Sequence, residues 1–241
     1  MRVYIEECRL SNGLILRSDS RTPVQELYKE VYRARTYTPA HFPAIQDNDV
    51  VIDLGANIGI FALYAASIAP TVRVHAFEPA APTFALLQQN VALNKLSNIQ
   101  CYRYSVSGVT GKSTLYVTNA GSTADTMIMT RVSAQEVREA ECVDCLSLDD
   151  LFLRCGIEHC NFLKVDVEGS EFNIFSFASP ETLCKIGRIA MEYHEIEGRK
   201  GRDLAGLLES QGFYVQIKPE PASDRGMIYA TRSIEPAGPE Q

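Results

Sequence analysis

The stretch Val50-Val51-Ile52-Asp53-Leu54-Gly55-Ala56-Asn57-Ile58-Gly59 constrains this chain more than any other. Apolar, β-branched residues run into an acid and then into a glycine-spaced turn, and an apolar segment from Ile58 to Ile68 follows. That order reads as a buried strand, a tight turn and a helix N-terminus. Gly55 and Gly59 let the backbone turn sharply and approach a ligand. A second strand, Val72-Arg73-Val74-His75-Ala76-Phe77, closes on Glu78-Pro79. A carboxylate at that end of a βαβ unit suits two ribose hydroxyls, because it accepts from both.

The turn is not G-x-G-x-x-G, the spacing a pyrophosphate needs for bare amides at a helix start. It is G-x-x-x-G with Asp53 just before it, and an acid there repels a pyrophosphate but can pair with an α-amino group. The ligand so described has a ribose and an amino-acid end and needs no phosphate. S-adenosylmethionine fits, with S-adenosylhomocysteine as its product, and the fold expected is α/β: a class I, Rossmann-like sheet with helices on both faces.

A chain of 241 residues can bury a sizeable core as one α/β domain. Its formal net charge of -7 argues against a nucleic-acid backbone as main partner. No apolar run approaches the roughly 18 residues of a membrane span, and Met1 to Glu7 lacks the apolar core of a signal peptide. Seven cysteines then suggest reduced thiols and a cytoplasmic setting. Cys142, Cys145, Cys155 and Cys160 are expected to be buried free thiols rather than metal or redox groups.

Residues 1–46 read as an extension: strands over 3–17 around Ser11-Asn12-Gly13, then a helix over 23–35 opened by Thr22-Pro23. This hairpin and helix either cross the substrate mouth or cap the sheet. The core runs over 47–232, and the tail over 233–241 is expected to fray. Within the core, a helix is expected over 81–94 and a third strand over 99–104. Ser105 and Val106 follow, where the chain turns toward an adenine; no acid stands there, so Ser105 or backbone groups are expected to serve. Residues 113–118 form an extra strand, and 119–140 a long loop over the site. The strand of Phe162, Leu163, Lys164 and Val165 puts Phe162, Lys164 and Asp166 on one face. A buried lysine needs a partner, and Asp166 is the nearest in sequence.

With these motifs in place, the chain resembles the FkbM family of S-adenosylmethionine-dependent methyltransferases. The matching segments are Asp53-Leu54-Gly55-Ala56-Asn57-Ile58-Gly59, Phe77-Glu78-Pro79, Ser105-Val106-Ser107-Gly108, Leu148-Asp149-Asp150-Leu151, Leu163 to Gly169 and Glu192-Tyr193-His194. The family often has Tyr-Glu before the first core strand; here Tyr37-Thr38 stands instead. The resemblance implies a seven-stranded class I sheet and O-methylation of a hydroxyl on a natural product or saccharide, free or held on a carrier. The cofactor residues expected are Asp53, Gly55, Ala56, Asn57, Gly59, Phe77, Glu78, Ser105, Val106 and Asp166. For the chemistry, His194 is expected as general base, because its ordinary pKa lies near neutral pH. Glu192 or Glu168 would orient it, with Lys164 and Asp166 at the base of the site. The alternative makes Asp166, Glu168, Glu192 and His194 ligands of a divalent metal that acidifies the hydroxyl.

Overall fold

The computed structural model describes residues 4–20, 22–118, 125–128, 133 and 137–232. The expected fraying from Ser233 onward lies outside them, as does most of the stretch between Thr118 and Val137.

Strands β1 (Ile5–Arg9) and β2 (Ile15–Asp19) pair antiparallel around the Asn12-Gly13 turn. The helix foreseen after Pro23 is two pieces. An α-helix, α1 (Val24–Tyr28), runs into a π-helical segment (Lys29–Ala34) that ends on a left-handed Arg35. Pro23 occupies the cap position and no side chain caps the helix. The core begins with β3 (Val50–Leu54), α2 (Ile60–Ile68), β4 (Arg73–Phe77), α3 (Ala81–Leu93) and β5 (Ile99–Tyr102). It resumes later with β9 (Phe162–Val165), α5 (Glu171–Phe177), the short α6 (Pro180–Leu183) and β10 (Arg188–His194). Helix α7 (Gly201–Ser210) and the hairpin β11 (Phe213–Pro219) and β12 (Arg225–Arg232) complete it.

The main sheet has seven strands in the order β11-β12-β10-β9-β3-β4-β5. β10, β9, β3, β4 and β5 are parallel, while β12 runs antiparallel between β10 and β11. After β3 the chain crosses to β4 on one side, and β9 lies on the other. The crevice between β3 and β9 is therefore the topological switch point, where open α/β sheets bind ligands at the strands' carboxyl ends. The pleat of β9 sorts its residues as expected: Phe162 packs into the core on one face, Leu163 and Val165 into the core on the other.

Two stretches depart from expectation. The third strand stops at Tyr102, and Ser105–Ser107 is a strand of its own, β6. It joins β7 (Gly111–Thr118) and β8 (Val137–Ser147) in a separate sheet ordered β6-β8-β7. β8 starts inside the stretch expected to be a loop, because its exposed half pairs with β7 and so shows weak alternation. Ser147 caps α4 (Leu148–Cys155), its hydroxyl accepting from the Asp150 N–H at 3.1 Å. Cys145 and Cys160 are buried free thiols, but Cys142 is exposed and Cys155 only half-buried. No helix among the described residues is long and apolar enough to cross a membrane.

The N-terminal hairpin is held to the core by two asparagines one turn apart, Asn90 in the last turn of α3 and Asn94 at its C-terminal cap. The Asn94 amide bonds the Ile15 N–H and C=O, at 2.8 and 2.7 Å. Asn90, fully buried, accepts from the Arg17 N–H at 2.6 Å and donates to the Arg17 and Ile58 carbonyls at 3.0 and 2.8 Å. One side chain thus ties the hairpin to the turn after β3. Asn90→Ala leaves these backbone groups short of partners and is expected to cost about 3 kcal/mol. In urea denaturation the midpoint should fall with an unchanged slope; an unmoved midpoint would show the tether to be dispensable.

Candidate active site

A cleft enclosing about 180 Å³ opens at the carboxyl ends of β3, β4, β9 and β10. Its wall takes the expected Gly55, Ala56, Asn57, Phe77, Glu78, Ser105, Val106, Lys164, Asp166, Glu168 and Glu192. It also takes residues not foreseen, among them Glu30, Tyr37, Asp125 and Arg225. Asp53, Gly59 and His194 do not line it.

The turn explains what the cleft can hold. The Gly55 and Ala56 N–H groups bond the Phe77 carbonyl at 3.1 and 2.9 Å, and the Gly59 N–H bonds Ala56 O at 2.8 Å. The Asn57 N–H bonds Glu78 Oε2 at 3.0 Å, and the Ile58 N–H bonds Asn57 Oδ1 at 2.7 Å. Every amide from Gly55 to Gly59 is used internally, so no set of free amides is left for a pyrophosphate. Glu78 Oε1 accepts the Ala80 N–H at 2.9 Å, leaving each carboxylate oxygen a further lone pair for a hydroxyl. Burial pushes Glu78 up to about 8 against the two backbone donors that hold its charge. Gly59 lies behind the turn, where an added Cβ would meet Leu87 Cδ1 at 2.7 Å.

At the far end, Ser105 donates to Met127 Sδ at 2.9 Å, and Phe77 stacks on Tyr102 at 4.7 Å. An acid is present there after all. Asp125 reaches the cleft from the segment over the site, its carboxylate accepting the Thr118 N–H at 2.8 Å. The next residue, buried Thr126, donates its hydroxyl to the Glu168 carbonyl at 2.6 Å.

Under the floor, Asp53 is fully buried and does not present itself to a ligand's amino group as expected. It lies 3.1 Å from Lys164 Nζ, closer than Asp166 at 3.6 Å, so the lysine's nearest acid is across the sheet rather than along the strand. The register pairs Asp53 with Lys164 directly. Lys164 Nζ also donates to the Gly55 and Leu54 carbonyls at 2.8 and 3.3 Å. Burial pulls the lysine's pKa down, but Asp53 and Asp166 outweigh it and hold the ammonium above its ordinary value. Burial raises Asp53 against the opposing pull of Lys164. Tyr37, 3% exposed, lies with its ring 5.3 Å from the ammonium and donates its hydroxyl to Asp166 Oδ2 at 2.9 Å.

His194 is placed differently from the role expected of it. It is 1% exposed, with Nδ1 3.1 Å from Glu171 Oε1 and Nε2 3.4 Å from Glu168 Oε2 and 3.8 Å from Glu192 Oε1. It sits behind the carboxylates and cannot meet a substrate proton directly. Glu171, fully buried, was not foreseen as a site residue; its only signal is a spacing of one helical turn from Glu168. Glu168 has a left-handed φ of 53°, followed by Gly169 at 110°. The Gly169 N–H bonds Glu171 Oε1 at 3.0 Å. Glu192 is pushed up to about 8 by burial and by Asp166, opposed by His194 and Arg225. Arg225 Nη1 lies 3.2 Å from Glu192 and its Nε 2.6 Å from Glu220. The metal alternative does not carry over to this arrangement. Among the described residues no group of three or more such side chains is disposed to hold a metal. His194 Nε2 faces Glu168 from behind the wall, and a guanidinium sits beside Glu192.

A parallel sheet with one reversed strand, a glycine turn with its amides closed, and a buried acid at the end of the second core strand together define a class I S-adenosylmethionine-dependent methyltransferase. Residues 53–215 match the family described as the methyltransferase FkbM domain, and the chain belongs to that family. It is 29% identical to "31-O-demethyl-FK506 methyltransferase FkbM" of Streptomyces tacrolimicus, over 99% of this chain and 100% of that one. It is 30% identical to "Methyltransferase 1" of Beauveria bassiana, over 83% and 84% of the two chains. Among solved structures it is similar in fold to fibrillarin of Methanococcus jannaschii (TM-score 0.54, 14% identity, covering 96% and 98%). Fibrillarin of Aeropyrum pernix, solved with natively bound S-adenosyl-L-methionine, is similar too (TM-score 0.52, 16% identity, covering 95% and 94%).

Proposed function

We propose that this protein transfers a methyl group to a hydroxyl of a small molecule, a natural product or saccharide, with a carboxylate of the cleft as general base. The observation that carries the reading is the pair Glu168 and Glu192 on the wall with His194 sealed behind them. S-adenosylmethionine supplies a methyl group that is already activated, so the chain's task is to position the acceptor and take its proton. Glu192 suits the proton transfer, because a pKa of about 8 makes it a far stronger base than an ordinary carboxylate. His194 is then a positioning residue: Glu171 fixes one ring nitrogen, and the other faces Glu168 and Glu192 from behind. Glu78, Ser105, Val106 and the turn from Gly55 to Asn57 would hold the cofactor. The relative named as a 31-O-demethyl-FK506 methyltransferase supports oxygen as the methylated atom and a natural product as the acceptor class. The excess of carboxylates in the cleft and the net charge of -7 support a neutral or cationic acceptor over a nucleic-acid phosphate.

The test is to incubate the chain and S-adenosylmethionine with hydroxylated natural products and saccharides and to locate the added methyl by mass spectrometry and NMR. Transfer to nitrogen or carbon alone would overturn the reading. A base acts in its ionised form, so kcat/KM for the acceptor at saturating S-adenosylmethionine, where the cofactor already occupies Glu78, should rise with pH and level above about 8. Glu192→Gln should lose about 100-fold or more in kcat and lose that pH limb, while cofactor binding persists. A Glu192→Gln variant that keeps the limb would assign the proton to another group.

A further inference from the structure

We propose that Glu30, beside Tyr37 and Asp166 at the Gly55 end of the cleft, binds the ammonium of the cofactor's amino-acid portion. This rests on the cofactor reading above.

The ligand's chemistry sets the problem. With its ribose at Glu78 and its base toward Ser105, the amino-acid portion extends toward Gly55, and it carries a primary ammonium that needs acceptors. Asp53, the acid adjacent in sequence, is covered by Lys164 and absent from the cleft wall. The Leu54 and Gly55 carbonyls at this end each accept from Lys164 Nζ and keep one further lone pair, but they carry no charge to match an ammonium. Of the two carboxylates that line this end, Asp166 is already bonded by Tyr37 and lies 3.6 Å from Lys164 Nζ, which leaves Glu30.

The donors here are too few for the acceptors. The Tyr37 hydroxyl donates to Asp166 Oδ2 at 2.9 Å, and Glu30 contacts the same hydroxyl. One phenolic proton serves two carboxylates. The nearby cations offset this only in part, because each is shared: Lys164 and Arg225 both act on Glu30, but Lys164 lies against Asp53 and Asp166, and Arg225 against Glu220 and Glu192. A ligand ammonium supplies the missing donors and the missing charge together. Burial and the charge of Asp166 raise the pKa of Glu30 past the opposing pull of Lys164, Tyr37 and Arg225, and a bound cation relieves that cost. The backbone carries a second sign of function. Glu30 stands on the π-helical segment Lys29–Ala34, and such irregular turns recur at functional sites.

Calorimetric titration of the intact chain with two ligands isolates this contact. S-adenosylhomocysteine carries the amino-acid portion; 5′-methylthioadenosine shares the nucleoside and sulfur but lacks the ammonium and carboxylate. Glu30→Gln, nearly isosteric, should weaken S-adenosylhomocysteine at least tenfold and leave methylthioadenosine unchanged within about twofold. Glu30→Asp should fall between, since it keeps the charge at shorter reach. An equal loss for both ligands would mean that Glu30 only supports the fold, and no loss for either would mean that it does not meet the cofactor; each outcome overturns the proposal. Failure of the unaltered chain to bind either ligand would overturn the cofactor reading itself.

Discussion

Gly55→Ala is expected to abolish cofactor binding and to destabilise the fold by more than about 4 kcal/mol. β3 ends at Leu54, and Gly55 turns away with a φ of +72°. A Cβ there would lie 1.7 Å from the Asp166 carbonyl oxygen and 2.9 Å from its carbon. Both are backbone atoms at the end of the neighbouring strand, so no side chain can swing aside. The two strand ends would have to part, and with them the Asp166 N–H bond to Leu54 O and both carbonyl bonds of Lys164. Gly156 separates the clash from the backbone cost alone: its φ is +62°, and nothing lies within 4 Å of an added Cβ. Gly156→Ala should cost only about 1–2 kcal/mol. The comparison is read from urea denaturation and from titration with S-adenosylmethionine. A Gly55→Ala chain that unfolds at the same midpoint as Gly156→Ala would refute the close approach of β3 and β9.

Lys164→Met should be nearly as damaging, by about 3–5 kcal/mol at neutral pH, because it strands the Asp53 carboxylate in the core. Methionine keeps most of the stem's volume, so the loss is electrostatic rather than a cavity. The pH dependence identifies it. Without its ammonium, Asp53 is raised further above its unfolded value, and the folded state binds the proton more tightly than the unfolded state. Stability then falls as pH rises above the unfolded carboxylate range and recovers as pH falls. The deficit against the unaltered chain should therefore shrink between about pH 7 and pH 5. Asp53→Asn with Lys164→Met removes both charges and should regain most of the loss. Additive costs in the double variant would show that the two groups do not form a pair.

Much of this site can be read along the chain. The strand-turn-helix of Val50 to Ile68 and the strand closing on Glu78 are local, and local spacing decides them. The face shared by Phe162 and Lys164 follows from the pleat, and the order of the later strands follows their periodicity. The weakest readings fell where partners come from far away. Asp125 reaches the Ser105 end of the cleft from a segment with no periodicity. Tyr37 and Glu30 reach the opposite end from the N-terminal extension, and β8 exists because β7 lies beside it.

The residues by themselves determined the class of the protein: a glycine turn, an acid after the second strand and the Lys164 to Gly169 segment together require a particular ligand and a particular sheet. The tertiary structure alone decided which groups line the cleft. Asp53 and His194 carry the residue types for contact, yet strand register sinks Asp53 beneath Lys164, and packing of Glu171 draws His194 behind Glu168. A side chain's chemistry is set by its type, but its access to substrate is set by burial. Burial depends on which strand lies alongside, and spacing along one chain does not encode that.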